Sequence, residues 1–122
     1  KMDFAKIREN YLQHNYEAAN TELKTFVETY TDSSYILEAY FLMANSYYKT
    51  KQYERSLSAI NFLVKQYPES EMTGLGLLLM GDILETQERW DEARDIYNSI
   101  QKNFKFPELK EKAKQRLSGL KV

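Results

Sequence analysis

The fold is decided by residues 40–68, which read YFLMANSYYKTKQYERSLSAINFLVKQYP. Small and bulky residues recur here at helical spacing, and the polar segment 49–52 separates two apolar runs. In each run the apolar residues fall on one helix face, because they follow the three-and-four spacing of an α-helix. A short polar link between two such runs predicts two antiparallel helices joined by a tight turn.

The pattern of this stretch recurs along the chain, since Tyr16, Tyr53 and Trp90 stand 37 residues apart. Small, apolar, apolar and aromatic residues follow each of them at the same four distances. A fixed period indicates stacked repeats, in which each copy buries its apolar face on the next. The spacing predicts an all-α protein whose helices cover residues 2–13, 16–30, 34–49, 53–67, 71–87, 90–104 and 108–120.

The amino-acid composition excludes several classes of function and of stabilising cross-link. The 122 residues include 17 basic and 18 acidic side chains, for a net charge of −1, so no basic face suited to nucleic acid is expected. The absence of cysteine excludes disulfides and cysteine-bound zinc as cross-links. No apolar run approaches the roughly 20 residues that span a bilayer. The length fits a single domain, 1–122, with repeats at about 1–33, 34–70 and 71–106 and a capping helix at 107–122.

Two sets of residues have structural roles that follow from their type. Asp32, Ser33 and Ser70 are expected to be N-caps, because their side-chain oxygens can accept the unpaired amides of a first helical turn. A second set consists of small residues that let two helix backbones approach closely, and it comprises Ala44, Ser56, Gly81 and Ala93.

The residues that carry this pattern match a known family. In the middle copy they are Tyr40, Met43, Ala44, Tyr47, Tyr53, Ser56, Ile60, Leu63 and Pro68, and in the third copy Leu77, Met80, Gly81, Leu84, Trp90, Ala93, Tyr97 and Ile100. The chain thereby resembles the tetratricopeptide repeat superfamily. The resemblance implies a right-handed α-α superhelix of three helix pairs plus a C-terminal capping helix.

The period of 37 exceeds the usual repeat of about 34 residues, and the extra residues lie in the joins 30–35 and 67–72. With the spacing of Ala113, Leu117 and Leu120, these joins resemble bacterial envelope members of the superfamily. Two such types are the Tol–Pal-associated periplasmic repeat protein and the lipoprotein of outer-membrane β-barrel assembly. The resemblance implies a periplasmic or outer-membrane-associated protein, with the cytoplasm as the alternative.

In a stack of helix pairs, the first helix of each pair lines the inner wall. After the core positions are removed, the side chains left for a partner are Phe4, Arg8, Tyr11, Glu38, Phe41, Asn45, Tyr48, Leu75, Leu78, Asp82 and Glu85. Their mixture of aromatic, apolar and polar groups is typical of a groove that binds a peptide or helix of a partner protein. The alternatives are internal packing of Phe4, Tyr11 and Tyr48, and a homo-oligomer that associates through the same surface.

Catalysis is not expected. His14 is the only histidine, and the sequence contains no phosphate loop, nucleophile elbow or metal-ligand cluster, so neither a cofactor nor an enzyme is predicted. Of the positions with which tetratricopeptide proteins grip terminal carboxylates, only Asn45 matches. The last helix is basic at Lys110, Lys112, Lys114, Arg116 and Lys121. Membrane contact is not expected from it, because terminal repeats need a polar outer face to stay soluble.

Overall fold

The computed structural model describes residues 1–120, and within them the chain forms seven α-helices and no strand. These are α1 (Phe4–Leu12), α2 (Tyr16–Thr29), α3 (Ile36–Lys49), α4 (Tyr53–Gln66), α5 (Glu71–Thr86), α6 (Trp90–Asn103) and α7 (Pro107–Ser118). The predicted all-α fold is confirmed, and every predicted helix end lies within two residues of the observed one. Lys121, the last of the predicted basic residues, lies outside the described residues.

The helices fall into two compact units, residues 1–66 with α1–α4 and residues from 67 onward with α5–α7. In the first unit α2 packs on α1 and α3, and α3 packs on α4. In the second unit α6 packs on α5 and α7, and α7 also contacts α5. Each unit is therefore built from helices packed on their sequence neighbours, as in tetratricopeptide-type helix pairs.

The helix caps differ in part from the prediction. Ser70 is an N-cap as expected, since its Oγ accepts a hydrogen bond from Met72 N at 3.2 Å. Asp32 and Ser33 are not N-caps, because α3 begins only at Ile36 and Tyr35 is its N-cap. Ser33 Oγ instead accepts from Tyr35 N at 3.0 Å and stabilises the turn before the helix.

All three turns within the helix pairs contain a non-glycine residue with a left-handed backbone. His14, Lys51 and Glu88 have φ values of 65°, 63° and 59° and stand 37 residues apart. The residue after each donates its amide to a carbonyl five residues back, at 2.8 Å in every copy. This bond closes a Schellman motif, in which the left-handed position ordinarily belongs to glycine.

We predict that Lys51→Gly stabilises the protein by about 0.5–1 kcal/mol, because removing Cβ relieves a left-handed strain larger than the added chain entropy. The matched control is Lys49→Gly, two residues earlier in the last turn of α3, which should destabilise by a similar amount. Urea unfolding followed by circular dichroism measures both. A loss of stability for Lys51→Gly would contradict the strain argument.

Small residues bring the helices together in the first unit. Ala44 and Ser56 are both fully buried between α3 and α4, where Ser56 Oγ donates to the carbonyl of Ala44 at 2.7 Å. Ser46, also fully buried, donates from its Oγ to the carbonyl of Tyr16 at 3.1 Å. The short hydroxyl side chains thus give close packing and also satisfy backbone carbonyls near the helix contacts.

In the second unit α5 is approached equally closely at two glycines, Gly74, where a Cβ would clash with Leu109 of α7, and Gly81. A Cβ at Gly81 would clash with the ring of Tyr97, which belongs to α6 and has no exposed surface. Ala93, another fully buried small residue, lies on the same face of α6 as Tyr97. The predicted role of the small residues as helix contacts is confirmed at Gly81, where only a hydrogen fits.

We expect Gly81→Ala to destabilise the protein by about 1–3 kcal/mol, because the ring of Tyr97 must move out of a packed core to admit the methyl group. Gly119→Ala is the control, since a Cβ there meets backbone atoms only at 3.7 Å or more. The comparison requires thermal or urea unfolding of the two variants. Equal stability of both would show that the α5–α6 contact is not tightly packed.

Candidate functional site

In the first unit the predicted site residues come together where α1 meets α3. Arg8 donates from Nε to Glu38 Oε2 at 2.6 Å and from Nη2 to Glu38 Oε1 at 2.8 Å. This bidentate geometry is the strong form of an arginine–carboxylate pair. Both side chains remain partly exposed, at 37% and 26%, so the pair lies on the surface of the unit and its two charges neutralise each other.

Phe4 does not belong to this surface. It is only 4% exposed, with its ring centroid 5.0 Å from that of Phe26 and stacked at 4.8 Å on Tyr35. The alternative that Phe4 packs internally is therefore the observed one. Tyr35, which the sequence did not single out, is 46% exposed and lies beneath the guanidinium of Arg8, 5.8 Å from its Cζ. The sequence placed Tyr35 inside the predicted helix 34–49 without a role, whereas in the structure it is the N-cap residue of α3.

Tyr11, Phe41, Asn45 and Tyr48 are half-buried on α1 and α3. Tyr11 makes an edge contact with Tyr16 at 5.6 Å, and its burial, together with Tyr16, raises the pKa of its phenol. The ring of Tyr48 lies 5.8 Å from that of Tyr53.

The side-chain amide of Asn45 forms a hydrogen bond with the backbone of its own helix, α3. Its Nδ2 donates to the carbonyl of Phe41 at 2.9 Å. The one residue that matches the carboxylate-gripping pattern of the family therefore has its donor group occupied within α3.

In the second unit the predicted site residues form a polar network and part of a core. Leu78 is 6% exposed and belongs to the core cluster, so it does not present the surface that the sequence analysis expected; Leu75 is partly buried against the same cluster. Asp82 and Glu85 converge on Tyr97, whose Oη lies 2.8 Å from Asp82 Oδ1 and 2.5 Å from Glu85 Oε2.

The last helix completes this network. Arg116 of α7 donates from Nε and Nη2 to the two carboxylate oxygens of Asp82, at 2.8 and 3.1 Å. On its inner face α7 buries Leu109 and Ala113, and Leu117 packs against the same core. Arg116, one of the predicted basic residues, therefore forms an ion pair with α5 of the same unit. The spacing of Ala113 and Leu117 marks the buried face of α7.

Tyr97 gives the second unit a dependence on alkaline pH. Burial first, and then the hydrogen bonds to Glu85 and Asp82, raise the pKa of its phenol well above the ordinary 10.0. A pKa raised by folding contributes stability below the unfolded value and loses it as pH rises. We predict that the unfolding free energy falls above about pH 10 and that Tyr97→Phe makes this fall shallower.

Urea unfolding between pH 8 and pH 11 checks this, with Tyr53→Phe as the control, because its phenol is replaced in the same way outside the network. An identical pH slope for the wild type and Tyr97→Phe would contradict the prediction.

The described helices offer neither a metal site nor a membrane span. Within residues 1–120 no three histidine or acidic side chains approach closely enough to hold a metal ion. His14 is exposed and stacks on Tyr16 with ring centroids 5.5 Å apart. None of the helices in the described part of the chain has both the length and the apolar character needed to cross a membrane.

Paired helices with closely packed small residues, 37-residue spacing and repeated Schellman turns define a tetratricopeptide-type repeat protein. A family model described as YfiO, outer membrane lipoprotein, matches residues 3–112, and the chain belongs to this family. The resemblance to envelope tetratricopeptide proteins is thereby confirmed. No curated protein matches the chain significantly.

Membership fixes the coarse function. The family is a non-catalytic, protein-interacting one involved in outer-membrane assembly, which favours a protein-interaction role for the chain. It also gives the location, which is periplasmic and outer-membrane-associated, as the joins between repeats had indicated. The cytoplasmic alternative is set aside.

Proposed function

We propose that this chain is a non-catalytic binding module that holds a segment of a partner protein against α1 and α3 of the first unit. The surface, here called the α1/α3 face, comprises Arg8, Tyr11, Glu38, Phe41, Asn45 and Tyr48. The observation that carries the proposal is the row of half-exposed aromatic rings, Tyr11, Phe41 and Tyr48, around a neutralised ion pair.

The aromatic rings can supply most of the binding energy. Phe41 lies three residues from Glu38 on α3, and Tyr11 lies three residues from Arg8 on α1, so both rings are one helical turn from the ion pair. Aromatic side chains bury large areas with few rotatable bonds and dominate the energetics of many interfaces. A partner segment laid along this face would cover them while the Arg8–Glu38 pair fixes its register.

The face is also held in place before a partner arrives. Arg8 is fixed by two hydrogen bonds, and Tyr11 and Tyr48 each rest on the aromatic residue that opens the next helix. A preformed surface binds without the entropic cost of ordering itself, which favours affinity. The predicted site residues of the second unit have a structural role and are left out of the binding face. Asp82 and Glu85 are engaged with Tyr97, and Leu78 is buried.

We expect Phe41→Ala combined with Tyr48→Ala to weaken capture of native envelope partners at least tenfold, since two aromatic anchors of about 1 kcal/mol or more each are lost. The control combines Leu12→Ala with Val64→Ala, which removes exposed apolar surface of 61% and 37% elsewhere in the same unit. Affinity capture from an envelope fraction, quantified by mass spectrometry, compares the two. Partners retained by the aromatic variant but lost by the control would refute the α1/α3 face as the site.

A further inference from the structure

The first unit contains a second concave feature, bounded by α2 and α4 and floored by α3. It consists of two cavities of about 240 Å³ and 320 Å³. Lys24, Tyr47 and Arg55 line both of them, so the cavities adjoin and form one furrow, here called the back cleft.

The back cleft is distinct from the α1/α3 face. On α3 it is lined by Tyr40, Met43 and Tyr47, whereas the α1/α3 face uses Phe41 and Tyr48. At 3.6 residues per turn these two sets form stripes roughly 120° apart around the helix. A ligand in the back cleft therefore contacts a different side of α3, and the inference does not depend on the proposed function.

The floor of the back cleft is apolar. Met43, Tyr47, Val27 and Ala59 line it and are each at most 7% exposed. Ala59 has the smallest side chain at its position in the three repeats, since the equivalent residues 37 positions before and after it are glutamate and isoleucine. A small side chain leaves room at the wall of α4, so this cleft is a feature of these particular helices rather than of the repeat in general.

Among the charged side chains that line the back cleft, the two cationic ones lie at its centre. Lys24 and Arg55 line both cavities, whereas Glu28 lines one cavity only and Glu17 the other only. Lys24 is paired with Glu28 at 2.9 Å. Arg55 lies with its Cζ 5.9 Å from the ring centroid of Tyr47, and no ion pair is formed by it among residues 1–120. The centre of the cleft thus offers an uncompensated guanidinium above an aromatic floor.

The length of the cleft fits a short extended peptide. Its lining on α2 runs from Glu17 to Glu28. Eleven residues of α-helix rise roughly 16 Å, and an extended chain covers that distance in about five residues. The furrow is bounded by α2, α3 and α4 and is open to solvent.

We propose that the back cleft binds an extended segment of a partner protein that carries one carboxylate side chain between apolar ones. The carboxylate accepts hydrogen bonds from Arg55 at the centre, where an opposite charge is missing. The neighbouring apolar side chains cover Met43 and Val27, and Glu17, at one end of the cleft, disfavours segments with a further acidic residue there.

The test uses a fluorescein-labelled heptapeptide blocked at both ends, Ser-Leu-Phe-Glu-Leu-Phe-Ser, and its analogue with glutamine in place of the glutamate. We expect Arg55→Gln to weaken binding of the glutamate peptide about fivefold, the scale of a partly exposed ion pair, and to leave the glutamine peptide unchanged. Lys65→Gln is the matched control, because it removes an exposed cation from the same helix outside the cleft. It should affect neither peptide.

Nuclear magnetic resonance of the full chain locates the peptide. Shifts of the Met43 methyl group and the Tyr47 ring support the back cleft, whereas shifts confined to Phe41 and Tyr48 overturn it in favour of the α1/α3 face. The proposal is also overturned if neither peptide binds at millimolar concentration. It is equally overturned if the ratio of the two peptides' dissociation constants is the same for Arg55→Gln as for the wild type. Cleft signals that shift with protein concentration alone would identify a second copy as the occupant and would equally overturn it.

Discussion

The second unit depends on one steric condition, which is that α5 carries no side chain where the ring of Tyr97 crosses it. Gly81 meets this condition, and the edge of the ring that carries the hydroxyl can therefore approach the helix closely. There the hydroxyl meets Asp82 and Glu85, and Asp82 in turn holds Arg116 of α7. The absence of a methyl group on α5 thus allows a network that helps to hold the last helix, beside the buried contacts of Leu109 and Ala113.

The first unit meets the same packing demand with different chemistry. At the positions that correspond to Gly81 and Tyr97 it has Ala44 and Ile60, both fully buried, and Ser56 satisfies the carbonyl of Ala44. Because no tyrosine crosses α3, the inner face of that helix is not drawn into a network with a later helix. Phe41 and Tyr48 stay half-exposed, whereas their counterparts 37 residues later are the buried Leu78 and Glu85, which lies 2.5 Å from the hydroxyl of Tyr97. One repeat pattern has therefore produced two different faces, one with half-exposed aromatic rings and one whose carboxylates are engaged in a hydrogen-bond network.

The sequence predicted the helices well because the repeat period and the apolar spacing act along a single helix, where neighbours are known. The sequence predicted less accurately the environment of side chains that contact residues distant in the chain. Phe4 was expected at the surface, but Tyr35, one residue before α3 begins, covers it. Asp82 and Glu85 read as exposed carboxylates, because the arginine and tyrosine that contact them are 34 and 12 residues away. The left-handed turns at His14, Lys51 and Glu88 were missed because no glycine marks them, although their common period was visible.

The uneven distribution of aromatic residues has a practical consequence. The only tryptophan, Trp90, begins α6 in the second unit, while eight of the ten tyrosines lie in the first, at positions 11, 16, 30, 35, 40, 47, 48 and 53. Emission excited at the red edge of the absorption band therefore reports on the second unit, and near-ultraviolet dichroism of phenols reports mainly on the first. The chain carries its own pair of optical probes, with which the melting of each half can be followed separately without any label.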